Sequence, residues 1–205
     1  MKVTYPHATT LLHLSGGQDS TYTAYHWLKD HPDETLLIHH VLLSHRFEDR
    51  LKEEKAAVTN ILNYFKQNKL TNFIYEESSF GYGTLPRISI KDIQVVSVFT
   101  GIILRTPAFK NINTLLLSWH KGEIDDVEIN RGFRVRNMLT ALDCVGKVKL
   151  EFPIMNMTRE DMANNMPIEL LKLCACCRRP RNGKHCGTCK TCKELKEANI
   201  FHHFV

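Results

Sequence analysis

Cysteine is almost missing from the first 173 residues of this chain, where Cys144 stands alone. No disulfide framework holds that part together, and 205 residues suffice to bury a core without one. The opening run Met1-Lys2-Val3-Thr4-Tyr5-Pro6-His7 lacks the apolar segment of a signal peptide, and no apolar run is long enough for a transmembrane helix. The expected compartment is therefore the reducing cytoplasm, away from membranes. The chain has no Gly-Lys-Ser/Thr ending at Walker spacing, which argues against a P-loop NTPase. It also has no internal repeat and no low-complexity tract, which excludes solenoids and linkers. Neither sign of charge dominates: 27 Lys and Arg stand against 22 Asp and Glu, a formal +5. That balance suits phosphate-bearing ligands and does not demand nucleic acid.

What is present is an alternation of short β-type runs and longer helical stretches. Thr9–Leu14, Thr35–Leu43, Asn72–Tyr75, Thr114–Trp119 and Val148–Phe152 read as strands. Between them, Asp19–Leu28, Arg50–Phe65, Ile90–Leu104 and Val127–Leu142 read as helices, with Ala57, Ile61, Leu62 and Phe65 at helical spacing and Pro107 ending the third. Strands alternating with helices of this length predict an α/β fold with a parallel sheet covered on both faces. Ligands in such sheets sit beyond the carboxyl ends of the strands at the switch point, so residues after Leu14, Leu43 and Trp119 should border the site. From Pro153 the composition shifts toward Met, Asn, Cys and Lys. Two units are expected: a nucleotide-binding domain over 1–152 and a small helical metal-binding module over 153–205.

The first strand runs into Ser15-Gly16-Gly17-Gln18-Asp19-Ser20-Thr21. Glycines between strand and helix can take positive φ and let backbone approach an anion without a Cβ in the way. The amides of the following helix, with its dipole, favour phosphate. Ser15 and Ser20 add hydroxyl donors. A carboxylate repels phosphate, so Asp19 is expected as a helix cap or as a ligand to Mg2+ carried with a nucleotide.

The other six cysteines crowd between Cys174 and Cys192. Cys177, Cys186, Cys189 and Cys192 follow C-x8-C-x2-C-x2-C, and Gly187 permits a tight chelating turn. Four thiolates suit tetrahedral Zn2+ and leave no open coordination position, the mark of a structural site. One of Cys174, Cys176 and Cys177 suffices as first ligand, so either of the other two could replace Cys177 or serve redox or sulfur-transfer chemistry.

The run Ser15–Ser20 resembles the SGGxDS signature of PP-loop ATP pyrophosphatases. Their fold is the adenine-nucleotide α-hydrolase-like, Rossmann-like sheet, and they transfer AMP from ATP to a carboxylate or carbonyl oxygen. Within that group, Gln18 and the spacing of Cys177, Cys186, Cys189 and Cys192 resemble 7-cyano-7-deazaguanine (preQ0) synthases, as does Phe152-Pro153-Ile154 followed by Thr158-Arg159-Glu160. The resemblance implies a C–N-forming ligase of queuosine biosynthesis. It would convert 7-carboxy-7-deazaguanine and ammonia to the nitrile with release of AMP and pyrophosphate, using ATP, Mg2+ and structural Zn2+. It implies pyrophosphate binding by Ser15, Gly16, Gly17, Gln18, Asp19, Ser20 and Thr21, with Asp19, Lys121 and Arg159 as catalytic candidates. Arg87, His120 and Asp125 are the candidate substrate contacts, and a homodimer is common among such enzymes.

The middle of the chain departs from that family. Ser44-His45-Arg46-Phe47 stands where a Tyr-Gly-Gln-Arg-His run is usual, and Pro86-Arg87-Ile88-Ser89 only approximates the PxRN segment. His120-Lys121-Gly122-Glu123-Ile124-Asp125-Asp126 replaces a Tyr-Pro-Asp-Cys-Arg loop, and Arg159 stands where lysine is common. Two alternatives stay open. One is a PP-loop tRNA-modifying enzyme of the thiolation type that adenylates a base carbonyl. Against it, aromatic residues are not interleaved with the basic ones, so nucleic acid is not an expected partner. The other is a non-catalytic nucleotide and zinc interaction module.

Overall fold

The computed structural model describes residues 7–44, 48–81, 92–121, 131–144 and 146–204. Five strands form one sheet: β1 (Ala8–His13), β2 (Thr35–Ser44), β3 (Phe73–Gly81), β4 (Thr114–Leu116) and β5 (Lys149–Glu151). Every pairing is parallel and the order is β3-β2-β1-β4-β5. The order reverses direction at β1, so the switch point lies between β1 and β4, beyond the end of β1.

Parallel strands covered on both faces need apolar side chains on both, which is why the strands read as near-continuous apolar runs. Leu12, Leu14, Leu36, Ile38 and Leu116 bury themselves on one face. Leu11, Leu37, Leu115 and Leu117 do so on the other. The first face is covered by α1 (Gln18–Asp30) through Ala24, Trp27 and Leu28, and by α2 (Glu48–Gln67) through Ala57, Val58, Ile61, Leu62 and Phe65. The second is covered by α3 (Asp92–Arg105) and α4 (Arg131–Ala141), which present Ile103, Val135 and Leu139.

The C-terminal stretch contains the short helices α5 (Arg159–Asn164) and α6 (Ile168–Leu171), then α7 (Lys190–Glu197) and a closing 3-10 turn (Phe201–Phe204). Its Ile154, Met162, Leu170, Leu171, Leu195 and Phe204 belong to the same apolar cluster as Leu12, Trp27 and Leu28. Residues beyond 153 thus complete the first face of the sheet instead of forming a core of their own.

Most expected elements occur with shifted ends. β3 runs from Phe73 to Gly81, past the expected stop at Tyr75. It is an edge strand whose charged Glu76 and Glu77 disguise it, because one side faces solvent. β4 stops at Leu116 and not Trp119, since the chain turns there, with the Trp119 amide donating to the Leu117 carbonyl. Among the described residues no helix is long and apolar enough to cross a membrane.

Candidate functional site

The turn after β1 is built by its own side chains. Gly16 has φ +80, and an added Cβ would lie 3.2 Å from both Ala57 Cβ and the Glu54 carbonyl oxygen. Conformation and close packing on α2 both require glycine there. Gly17 is different: its φ is −83, and an added Cβ would meet only Ser15 Oγ at 3.4 Å. The expectation that both glycines use positive φ therefore holds for Gly16 alone, and the missing side chain of Gly17 opens space on the cavity side.

Gly17, the N-cap of α1, has no side chain to cap it; its amide donates to Ser15 Oγ at 3.3 Å and the Gln18 amide to Cys176 Sγ at 3.4 Å, so a hydroxyl and a thiol stand where an anion could be received. Ser15 and Ser20 hold the turn, their hydroxyls 3.0 Å apart while the Ser15 amide donates to Ser20 Oγ at 3.1 Å. Thr21 Oγ1 donates to the Gly17 carbonyl at 2.7 Å. Gln18 is buried, and its side-chain amide donates to the Arg159 carbonyl at 2.8 Å.

A cavity of about 620 Å3 opens over this turn. Its floor is Leu14, Ser15 and Gly17–Ser20 at the end of β1, with His39, His40, Val41 and Leu43 from β2. Leu116–Trp119 line the other side, and Arg50, Glu54 and Asp92 stand at the α2–α3 wall. The cavity lies where the strand order predicts, bordered by residues at the ends of β1, β2 and β4.

Arg159 sits at the start of α5, which a capping box holds in place: the Asp161 amide donates to Thr158 Oγ1 at 3.1 Å and the Thr158 amide to Asp161 Oδ2 at 2.8 Å. The guanidinium is buried between two carboxylates, with NH1 donating to Asp19 Oδ1 at 3.1 Å and NH2 to Glu194 Oε2 at 3.1 Å. Asp19 is thus held by Arg159, and loop organisation is the role its geometry displays.

The remaining expected residues divide by position. Lys121 is exposed and outside the cavity lining. Its amide donates to the Met157 carbonyl at 3.0 Å, which turns this stretch toward the C-terminal segment. Hydrogen bonds from Thr158, with the Lys121 charge as a weaker contribution, hold the Asp161 carboxyl below its ordinary range. His120 is buried and also stands outside the lining, next in sequence to Trp119, which is in it. Arg87 and Asp125 lie outside the described residues.

Sequence reasoning passed over His13, His39 and His40, although a histidine in an apolar strand near its carboxyl end is a visible signal. Burial holds all three below the ordinary imidazole range, His39 at about 4. It also passed over Arg50, Glu54 and Asp92. Arg50 Nε donates to Glu54 Oε1 at 2.7 Å and its NH2 to Asp92 Oδ2 at 2.9 Å, tying α2 to α3 at the cavity. Burial raises the Glu54 carboxyl, with Arg50 acting against it.

The sulfur atoms of Cys177, Cys186, Cys189 and Cys192 all lie within 4.8 Å of one another. Four sulfurs each about 2.3 Å from one tetrahedral ion are separated by about 3.8 Å, so the group is near the size of a mononuclear site. A cubane cluster carries its thiolates on separate iron corners and spreads them further. Amides are aimed at these sulfurs: Cys186 N donates to Cys177 Sγ at 3.2 Å and Cys189 N to Cys186 Sγ at 3.3 Å. Gly187 takes φ +68 in the turn between Cys186 and Cys189. Burial acts to raise the Cys186 thiol, but hydrogen bonds led by those from Thr188 outweigh it and bring it down to about 6. The donor set fits Zn2+. Cys174 and Cys176 point elsewhere, Cys174 Sγ toward the Leu170 carbonyl at 3.6 Å and Cys176 Sγ accepting from the Gln18 amide at 3.4 Å. Burial pushes the Cys176 thiol up to about 12.

The sheet order and the Ser15–Ser20 turn at its switch point define an α/β protein of adenine-nucleotide α-hydrolase-like architecture. Among solved structures it is similar to the U34-tRNA thiolase NcsA from Methanococcus maripaludis with its [4Fe-4S] cluster, with a TM-score of 0.58 and 15% sequence identity. The match covers 96% of this chain and 66% of the thiolase, so this chain spans just under two thirds of that protein's length. No protein-family profile matches the sequence, and no curated protein matches it.

Proposed function

We propose that this protein is an ATP-dependent adenylating enzyme, in which an oxygen of the acceptor attacks the α-phosphorus of ATP and pyrophosphate leaves. The observation that carries this reading is the N-terminus of α1, begun by a glycine with no capping side chain and facing a cavity of about 620 Å3, with the Ser15 and Ser20 hydroxyls beside it. Charge develops on phosphate oxygens during such a transfer, and donors already fixed in the ground state stabilise it without reorganising. Gly17 and the first turn of α1 would hold the pyrophosphate, and Mg2+ would enter with ATP. Bound Zn2+ would supply a closed four-thiolate cross-link with no open coordination position.

The acceptor favoured by Gln18 and the cysteine spacing is 7-carboxy-7-deazaguanine. Its carboxylate would form the acyl-adenylate, and ammonia would displace AMP to give the amide. The amide oxygen would attack the α-phosphorus of a second ATP with release of pyrophosphate, and loss of AMP and both nitrogen protons would leave the nitrile. The single-ion size of the cysteine group agrees with the zinc site of that family. A second acceptor, a base carbonyl of tRNA, is favoured by the likeness to a tRNA thiolase and by the basic residues around the cysteines, Arg178, Arg179, Arg181, Lys184, Lys190 and Lys193. On either reading the compartment is the cytoplasm.

The test is pyrophosphate release from MgATP by metal-replete protein, offered 7-carboxy-7-deazaguanine with ammonia in one arm and unmodified tRNA in the other. Substrate-dependent release identifies the acceptor, with the product read by mass. No release in either arm, from protein that binds no ATP by calorimetry, would leave the interaction module as the standing reading.

A further inference from the structure

The cysteine group lies more than 150 residues from the phosphate turn in sequence, yet the two are joined by direct contacts. On one side, the Ala175 amide donates to the Gly16 carbonyl at 2.8 Å and Cys176 Sγ accepts from the Gln18 amide at 3.4 Å. The next residue is Cys177, the first of the four clustered thiols. On the other side, Cys189 caps α7 and Cys192 lies in its first turn. That helix presents Glu194 to Arg159, and Arg159 in turn holds Asp19 and accepts the Gln18 side-chain amide on its carbonyl. Each end of the cysteine group therefore reaches the turn by one short path.

We propose that Glu194 and Arg159 are positioning residues that couple occupancy of the four-cysteine site to the anion affinity of the Ser15–Ser20 turn. This rests on the reading of that turn as the ATP site. An ion gathering Cys177, Cys189 and Cys192 fixes both Ala175-Cys176 and α7. Those two elements fix the Gly16 carbonyl, the Gln18 amide and the Asp19 carboxylate. The amides that would receive pyrophosphate are then held before ATP arrives. A network of this kind is a coupling between two sites, and coupling free energies are reciprocal: whatever factor the metal adds to ATP affinity, ATP must add to metal affinity. A cysteine group without this coupling would leave each affinity unchanged by the other ligand.

The experiment is zinc affinity of the intact protein by chelator competition, without and with saturating MgATP and no acceptor. The expected result is zinc binding about tenfold tighter with MgATP, within the usual range of such couplings. Glu194→Gln should still hold one zinc per chain but bind MgATP about tenfold more weakly and lose the effect of MgATP on zinc. Glu194→Asp, which keeps the charge, should recover part of it. The wild-type measurement alone decides if the Gln variant does not fold. Zinc affinity unchanged by bound MgATP would overturn the proposal. If the wild type binds no ATP, the functional reading falls first, and the coupling is judged by amide hydrogen exchange: faster exchange at 15–20 on zinc removal, with Thr35–Ser44 unchanged, supports it, and unchanged exchange at 15–20 overturns it.

Discussion

His13 Nδ1 and His39 Nδ1 face each other at 3.1 Å, and their neighbours fix which of the two carries the proton. Thr100 Oγ1 donates to the Val96 carbonyl at 3.0 Å, so it accepts from His13 Nε2 at 2.7 Å. That leaves a lone pair on His13 Nδ1, which must receive the Nδ1 hydrogen of His39. His39 Nε2 then accepts from Ser78 Oγ at 2.9 Å. The chain runs in one direction from β3 through β2 and β1 to α3, with both rings neutral.

Acid should break this chain. Burial, followed by the neighbouring His40, lowers His39 from 6.5 to about 4. A depressed histidine contributes stability that is complete above about pH 6.5 and is lost as pH falls toward 4, because the unfolded chain takes up the proton first. A drop of that size is worth about 3 kcal/mol. Denaturant midpoints from pH 8 to pH 4 should fall over this window, and His39→Asn should flatten the fall while lowering the midpoint at pH 8. An equally steep fall in the variant would exclude His39 as its source.

The two glycines of the turn should separate stability from binding. Gly16→Ala places a side chain at φ +80 against Ala57 and the Glu54 carbonyl, and should cost about 1–3 kcal/mol in thermal or chemical unfolding. Gly17→Ala meets no such obstacle and should cost no more than about 1 kcal/mol, the loss of a favoured N-cap residue. Its ATP-dependent pyrophosphate release should nevertheless fall at least about tenfold, since the Cβ intrudes where backbone must approach phosphate.

The cysteines should sort by metal content. Cys177→Ala and Cys189→Ser should each bring metal well below one ion per chain and lower solubility, since structural metal binding is folding free energy. Cys174→Ala and Cys176→Ala should keep it, because those sulfurs contact Leu170 and Gln18 instead. Elemental analysis should find zinc in colourless protein. Iron with visible charge-transfer absorption would instead indicate a cluster of the kind the thiolase carries.

Arg159→Met should destabilise the protein by about 3–5 kcal/mol, because it strands the carboxylates of Asp19 and Glu194 that now share one guanidinium. Partial exposure of both acids argues for the lower end of that range, and urea unfolding gives the value. Arg159→Lys should recover only part of it, since an ammonium cannot hold both carboxylates in the fork geometry of arginine.

The elements that carry the Ser15–Ser20 turn were legible because local signals agreed: a short apolar run, two glycines and a helical stretch with Ala24, Trp27 and Leu28 on one face. The cysteine group was legible because C-x8-C-x2-C-x2-C is rare by chance and demands a common centre. The cavity wall was not. Arg50, Glu54 and Asp92 sit on different helices, and nothing in an i,i+4 pair on α2 announces that a third residue from α3 will join it. The sequence marks Arg159 as a catalytic candidate, and only the fold shows Glu194 arriving from a distant helix to share it with Asp19. The pairing of His13, His39 and Ser78 depends on strand neighbours that sequence order does not give.

The Gly16 carbonyl accepts from an amide at position 175, and the face of the sheet above it is closed by Leu195 and Phe204. During synthesis the loop after β1 is therefore completed only by a segment made more than 150 residues later. β1, β2 and β3 can pair early, but the turn after β1 has neither its hydrogen-bond partner nor its apolar cover until residues 175–204 have emerged. A chain truncated before position 175 would lack both the amide that closes the turn and the apolar cover of Leu195 and Phe204, so clipped protein would present the turn unfinished.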